Sequence, residues 1–296
     1  MSASSPLADP LPAARRDIDG RAGRMALYAA GQGPPMLLLH SVNAAASAFE
    51  VRALFVRMAA GHRVYAIDLP GYGQSDRSER RYDAPLFGAA IDDALDAVAL
   101  EAGDRPVDLL ALSLTCEFAA RVALARPARL RTFAMVSPTG LDRRSAARTG
   151  PPGGNREVPG LHAVLSSGPW SQWLFDALVS RRSVRYFLGR TWGGGAIDED
   201  LFEYSWAAAH RPGARHAPLA FLSGRLFSSD VRSVYERLAL PVWVAHGTRG
   251  DFSDFSGADW TRSRPNWRLQ RFEGGALPHI EHPEAFAEAY RRFLAG

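Results

Sequence analysis

The sequence contains no lysine, and all 35 of its basic residues are arginine. Without a lysine amine, the chain cannot use a lysine Schiff base or a lysine general base in catalysis. Cys116 is the single cysteine, so no disulfide can form within the chain. No apolar run approaches the roughly 20 residues of a membrane-spanning helix, and the first 20 residues lack the apolar stretch of a signal peptide. These absences predict a cytoplasmic protein that does not contact a membrane.

The charge is also modest for a chain of 296 residues, with a formal net charge of +4. The arginines are scattered among aspartate and glutamate and form no basic block, which predicts that nucleic acid is not a partner. Hydrophobic residues make up 47% of the chain and include seven tryptophans. Such a composition is typical of a packed globular protein.

Short β-rich runs alternate with helical patterns along the chain. Seven such runs can be read from the sequence: RMALYAA, PMLLLH, RVYAID, VDLLALS, RTFAMVS, PVWVAHG and WRLQRFE. Strands that alternate with helices favour a mostly parallel sheet covered by helices on both faces. We therefore predict an α/β fold, and we expect the site at the carboxyl ends of the strands.

One segment combines a buried strand, a serine and a helix without a break. The apolar run at residues 107–112 leads directly into Ser113, and a helical pattern follows it. A sharp strand-to-helix turn strains the serine backbone and directs both its hydroxyl and the free N–H groups of the helix to one spot. Ser113 is thus a candidate nucleophile, and a serine satisfied at an ordinary helix start is the alternative.

This segment resembles the nucleophile elbow of the α/β-hydrolase superfamily, G-x-S-x-G, with Ala111 and Thr115 in the glycine positions. Further segments match the family in the same order: PPMLLLHSVN, DLPGYGQSD, PVWVAHGTRGDF and LPHIEHPEAF. The resemblance implies a core at residues 21–140 and 237–296 and an inserted helical lid at 141–236. Residues 1–20 are expected to be a flexible tail.

The resemblance also implies roles for particular residues. The backbone N–H groups of Val42 and Leu114 are expected to stabilise the oxyanion, with the Asn43 side chain as a further donor to the substrate. The acid is expected at Asp251, four residues after the glycine that closes its strand, and Asp254 is the alternative.

The base is the difficult position. Aligned without gaps, the family's catalytic histidine falls on Ala276, and His279 follows three residues later. His279 is predicted to be the base, provided that the loop is rebuilt to bring its ring toward Ser113. A displacement of about 1 Å already costs about a hundredfold in rate, so this condition is strict.

The lid region is rich in aromatic residues, among them Trp170, Trp173 and Trp206. They predict a small apolar or aromatic substrate, whereas no metal and no cofactor are expected. The favoured function is a serine hydrolase of an ester, lactone, thioester or C–C bond. A repurposed lyase, cyclase or acyltransferase and a noncatalytic ligand-binding protein are the alternatives, and a homo-oligomer is left open.

Overall fold

The computed structural model describes residues 7–146, 150–168, 170–194 and 196–296. The described strands are β1 Ala14–Gly20, β2 Gly23–Ala30, β3 Pro35–Leu39, β4 Arg63–Ile67, β5 Val107–Leu112, β6 Leu130–Val136, β7 Val242–Gly247 and β8 Trp267–Phe272. They form one eight-stranded sheet in the order β1-β2-β4-β3-β5-β6-β7-β8. The strands from β4 to β8 in this order are parallel, whereas β1 and β2 pair antiparallel at one edge. The predicted α/β class with a mostly parallel central sheet is confirmed.

The described α-helices are α1 Arg52–Met58, α2 Ala84–Ala102, α3 Thr115–Ala125, α4 Arg143–Ala146, α5 Leu161–Ser166, α6 Trp170–Leu178, α7 Arg181–Trp192, α8 Glu199–Ala209, α9 His216–Leu222, α10 Val231–Glu236, α11 Pro278–Glu281 and α12 Pro283–Ala295. Short 3₁₀ helices span Ala48–Val51, Pro127–Arg129 and Ser256–Ser263. Among the described helices, none is both long and apolar enough to cross a membrane.

The central strands bury both of their faces. In β3, Leu37 and Leu39 join the core beneath α2 and α3, while Met36 and Leu38 join the core beneath α1 and α12. Successive strand residues point to opposite faces, so a strand covered on both sides must be apolar throughout. This explains why the parallel strands appear in the sequence as continuous apolar runs.

Residues 14–20 correct the prediction of a flexible tail over residues 1–20, because they form β1 and pair with β2. Of the residues in β1, Ile18 alone is buried. An exposed edge strand shows no alternation of apolar and polar residues, so β1 could not be predicted from the sequence pattern.

Residues 141–236, here called the inserted segment, connect β6 to β7 and carry α4 to α10. Within its described part, no residue belongs to a strand of the central sheet. Phe175, Val179, Val184 and Phe202 form part of a small apolar cluster of its own. The inserted segment is thus held partly by its own packing.

Candidate active site

The sheet order predicts a crevice at the carboxyl ends of β3 and β5. The chain runs from β3 to β4 on one side and then returns to β5 on the other side of β3. Loops that leave neighbouring parallel strands in opposite directions open a crevice, and ligands bind there in open α/β sheets. Ser113 follows β5 and Val42 follows β3, so both lie at this point.

Ser113 has the backbone conformation of a strained turn. Its φ angle is 51°, in the left-handed region that residues with a side chain rarely adopt. Its N–H donates to the carbonyl of Val136 at 2.9 Å, which fixes the turn against β6. Holding a serine in this region costs about 1 to 3 kcal/mol. Within the described part of the chain the Ser113 hydroxyl makes no hydrogen bond, so it is available for chemistry.

Thr115 and Ala111 occupy the glycine positions of the elbow, and each has a local role. The Thr115 hydroxyl donates to the carbonyl of His40 at 2.7 Å and joins the start of α3 to the end of β3. The Ala111 carbonyl accepts from the thiol of Cys116 at 3.2 Å. Burial raises the pKa of the Cys116 thiol, which agrees with a packing role and not with a reactive thiolate.

The two predicted oxyanion donors are close to this junction. The Thr115 hydrogen bond brings the loop after β3, with Val42, next to the turn that carries Leu114. The side chains of Val42 and Leu114 are buried. Among the described residues no group accepts a hydrogen bond from either backbone N–H. Two free N–H groups beside a serine are what an oxyanion hole requires.

Asn43 and Ser41 are fixed by a buried carboxylate. Glu50 accepts hydrogen bonds from the Ser41 N–H at 2.8 Å, the Ser41 hydroxyl at 3.0 Å and the Asn43 amide at 3.1 Å. The Asn43 side-chain oxygen accepts from the N–H of Ala45 at 2.7 Å. The Asn43 side chain therefore stabilises its own loop, and the predicted contact with substrate requires these bonds to break.

The predicted acid, Asp251, is paired with the inserted segment. Its carboxylate accepts two hydrogen bonds from the Arg190 guanidinium, at 2.8 and 2.6 Å, and this pairing lowers the pKa of the carboxyl. Asp254, the alternative acid, accepts from the hydroxyl and N–H of Ser256, which lowers its pKa. Neither aspartate is hydrogen-bonded to a described histidine.

The predicted base, His279, is fully buried in α11. Its Nε2–H donates to the backbone carbonyl of Glu50 at 2.9 Å, and its ring packs edge-on against Phe286. The other nitrogen, Nδ1, is buried without a partner in the described part of the chain. Burial lowers the pKa of His279 to about 4, so the ring is neutral at pH 7. The structure does not bring Ser113, Asp251 and His279 together, because the His279 ring is bonded to Glu50 of the 3₁₀ helix Ala48–Val51 and Asp251 is paired with Arg190.

Ala276, at the position of the family histidine, is held by two hydrogen bonds. Its carbonyl accepts from the Ser137 hydroxyl at 2.7 Å, and its N–H donates to the carbonyl of Thr191 at 2.9 Å. The loop is so close to the inserted segment that a Cβ at Gly275 would collide with the Thr191 carbonyl. The end of α7 thus covers the place from which a histidine acts in the resemblance.

The three predicted substrate-binding tryptophans do not converge in this structure. Trp170 and Trp173 are 52% and 72% exposed, and Trp206 packs against His210 and the guanidinium of Arg181. No hydrogen bond or ring contact within the described residues links them to Ser113. Their helices were predicted, but the direction of each side chain depends on packing that the sequence does not show.

Sequence reasoning missed Ser137, Arg190 and Thr191, which contact the predicted acid and histidine positions. Ser137 follows β6 with a φ angle of 44°, close to that of Ser113. A serine directly after a buried strand was a usable signal, since Ser113 was found in this way. Arg190 and Thr191 carried none, because nothing in their local pattern indicates contacts with residues 60 or more positions later in the chain.

Comparisons with known proteins agree with this geometry. The model of the alpha/beta hydrolase family matches residues 36–289. A pimeloyl-[acyl-carrier protein] methyl ester esterase of Aeromonas salmonicida is 26% identical over 273 residues, which span 89% of this chain and 96% of the esterase. A 2-hydroxymuconate semialdehyde hydrolase of Pseudomonas putida is 25% identical over 291 residues, which span 95% of this chain and 94% of that hydrolase.

Solved structures share the fold. A serine hydrolase involved in carbazole degradation superposes with a TM-score of 0.76 at 17% identity, covering 96% of this chain and 99% of the other. The sheet, the strained serine turn at its switch point and the match over residues 36–289 lead to one conclusion. The chain belongs to the alpha/beta hydrolase family and is an enzyme of the α/β-hydrolase type.

Proposed function

We propose that this enzyme is a serine hydrolase of a small, largely apolar acyl compound and that Ser113 is its nucleophile. One observation carries the proposal: Ser113 has a φ angle of 51° beside the N–H groups of Val42 and Leu114, which have no acceptor in the described part of the chain. Such strain persists only where the surrounding structure maintains it, and it clusters at active sites. The esterase and the C–C bond hydrolase among the relatives make an ester or a C–C bond next to a carbonyl the preferred substrate class.

In this proposal the Ser113 hydroxyl attacks the substrate carbonyl, and the negative charge develops on the carbonyl oxygen. The N–H groups of Leu114 and Val42 donate to that oxygen, assisted by the positive end of the α3 dipole. Removal of a single oxyanion donor costs about a hundredfold to a thousandfold in kcat in related chemistry. A base takes the proton from the Ser113 hydroxyl and passes it to the leaving alcohol or carbanion as the intermediate collapses. The same base then takes a proton from water, which releases the acyl group as the acid and restores the Ser113 hydroxyl.

The base is proposed in a second conformation. His279 reaches Ser113 only if its ring leaves the Glu50 carbonyl, and Asp251 orients it only if Arg190 releases the carboxylate. Its pKa of about 4 also makes it a weak base in its present position. A Ser113–His279–Asp251 triad thus requires both the loop and the inserted segment to move.

A second candidate function follows from Ala276. The family's histidine position holds alanine, and the Thr191 carbonyl accepts from the Ala276 N–H, so this proposal gives Ser113 two oxyanion donors but no hydrogen-bonded base among the described residues. An oxyanion site and binding alone give about 10³ to 10⁴ over water. Such a site suits a repurposed enzyme that binds and polarises a carbonyl without hydrolysing it.

Labelling with a fluorophosphonate tests the nucleophile. We expect stoichiometric labelling of the wild type and none of Ser113→Ala, together with loss of hydrolysis of nitrophenyl esters. Ser167→Ala changes an exposed serine and serves as the matched control. This variant should keep both the fluorophosphonate labelling and the hydrolysis of nitrophenyl esters. Equal labelling of wild type and Ser113→Ala would rule out Ser113 as the nucleophile.

Two substitutions of His279 separate a base from a structural donor. His279→Gln retains an N–H donor for the Glu50 carbonyl but cannot accept a proton, whereas His279→Ala retains neither function. If His279 is the base, both variants lose kcat about as fully as Ser113→Ala, since members of one catalytic unit are not additive. If it is structural, His279→Gln keeps most of the kcat, and the base for Ser113 is another residue.

The proposed apolar substrate is tested at the inserted segment. Trp173→Ala and Trp206→Ala are compared by kcat/KM on short, long and aromatic nitrophenyl esters. If these helices close over Ser113 during turnover, the chain-length preference changes. An unchanged preference in both variants assigns Trp173 to its exposed position and Trp206 to its packing against His210 and Arg181.

A further inference from the structure

A cavity of about 730 Å³ lies between β7, β8 and the 3₁₀ helix Ser256–Ser263. Ser113, Asp251 and His279 do not line it. Its volume lies in the range of about 300 to 1,000 Å³ that small-molecule sites occupy.

The connection between β7 and β8 leaves part of these two strands uncovered. Residues 248–266 contain a 3₁₀ helix of eight residues where an α-helix would cover the sheet. Leu269 of β8 is 39% exposed as a result, although parallel strands are normally covered on both faces. The uncovered area of β7 and β8 forms the floor of the cavity.

His246 presents one unpaired ring nitrogen in this cavity. Its Nδ1 is 2.9 Å from the carbonyl of Gly247, so Nδ1 carries the proton and Nε2 holds a lone pair. Within the described residues Nε2 has no hydrogen-bond partner. One face of the ring is stacked on Phe255 at 4.0 Å, which fixes its orientation. His246 itself is 94% buried, so its ring is held in place before any ligand arrives.

The charge of the cavity is positive. Arg271 lines it without an ion pair to any described residue, whereas Arg262 is 3.1 Å from Asp259. The lining thus holds two guanidinium groups and one carboxylate. Trp267, Leu269 and Phe255 supply apolar walls.

We propose that this cavity is a second binding site, for a small carboxylic acid with an apolar or aromatic body. The carboxylate pairs with the Arg271 guanidinium, which is a planar donor suited to it. The body of the ligand lies against Trp267 and Leu269, and Nε2 of His246 accepts from a donor on the ligand or from a bridging water. The wall formed by Thr248 and Ser253 belongs to the loop that carries Asp251, so this site adjoins the candidate active site in sequence without sharing its residues.

Benzoate is the probe, titrated by calorimetry into the full chain and followed by NMR of the His246 imidazole. We expect saturable binding with a shift of the His246 resonances, and an affinity about fivefold lower in Arg271→Gln, as expected for one partly exposed charged hydrogen bond. Benzyl alcohol has the ring but no charge. Its affinity for the wild type should be no higher than the affinity of benzoate for Arg271→Gln.

Arg268→Gln is the matched control, because Arg268 is an exposed arginine on the same strand that does not line the cavity. Benzoate should bind this variant as it binds the wild type. Equal weakening by both substitutions would reveal nonspecific attraction to arginine and overturn the proposal. No saturable binding, or binding that leaves His246 unshifted, would overturn it as well.

Discussion

The environment of His279 has a measurable consequence for stability. Burial lowers the pKa of this histidine from 6.5 to about 4, so the folded protein does not take up the proton that the unfolded chain binds below about pH 6.5. Protonation of this histidine in the unfolded chain therefore lowers the free energy of unfolding as the pH falls from 6.5 toward 4, and above pH 6.5 this loss is absent. A difference of this size corresponds to about 3 kcal/mol in the free energy of unfolding.

His279→Gln cannot titrate and isolates this contribution. Denaturant unfolding of the wild type and the variant from about pH 7 to about pH 4 should show the variant gaining stability relative to the wild type by about 3 kcal/mol. All other titrating groups are common to the two proteins. Parallel pH profiles would show that the ring is hydrated or already protonated in the folded state.

At the scale of elements, the end of α7 connects to two loops of the core. Arg190 pairs with Asp251, and the Thr191 carbonyl accepts from Ala276. The ion pair is exposed, so salt screens it and its loss leaves global stability nearly unchanged.

We therefore predict that Arg190→Ala frees the loop around Asp251 without lowering Tm. Hydrogen exchange at the amides of residues 249–251 should accelerate severalfold, and fluorophosphonate labelling of Ser113 should become faster if α7 controls access. Arg185→Ala, which removes a comparable ion pair to Glu199 within the inserted segment, is the control and leaves both rates unchanged. Equal acceleration in the two variants would assign the effect to a general loosening of α7.

The whole molecule is held together by its sheet and the helices on both faces. Trp243 of β7 is stacked between the sheet and α12, with ring centroids 5.5 Å from Tyr290 and 6.0 Å from Phe293. Trp243→Ala should lower the free energy of unfolding by about 3 to 5 kcal/mol, because it removes a large buried side chain and leaves a cavity. Trp173→Ala removes an exposed tryptophan and should lower it by less than about 0.5 kcal/mol, which chemical denaturation can resolve.

Most of the fold was predictable from the sequence, because burial on both faces leaves continuous apolar runs. The seven predicted strands correspond to β2 through β8. The turn at Ser113 was also predictable, since a strand that leads into a helix without a linker fixes the geometry between them. The edge strand β1 was not predictable, because it buries a single side chain and shows no apolar pattern.

The contacts of the predicted acid and base could not be read from the sequence. Asp251 and His279 were chosen from their distance along the chain to family motifs, but their partners are Arg190 and the Glu50 carbonyl. Each partner comes from a distant segment, and the Glu50 contact is made by a backbone atom that every residue possesses. Local pattern therefore predicts where a loop begins, and long-range packing decides what its side chains bind.

Hydrogen exchange of the Ala276 amide reports motion of the inserted segment, because this amide is bonded to the Thr191 carbonyl at the end of α7. Its hydrogen exchanges with solvent only when the bond opens, and opening requires α7 to move away from the loop. The exchange lifetime of this single amide thus reports how often the end of α7 separates from the loop that carries Ala276. A substrate or inhibitor that holds the two together lengthens that lifetime, even when no turnover can be detected.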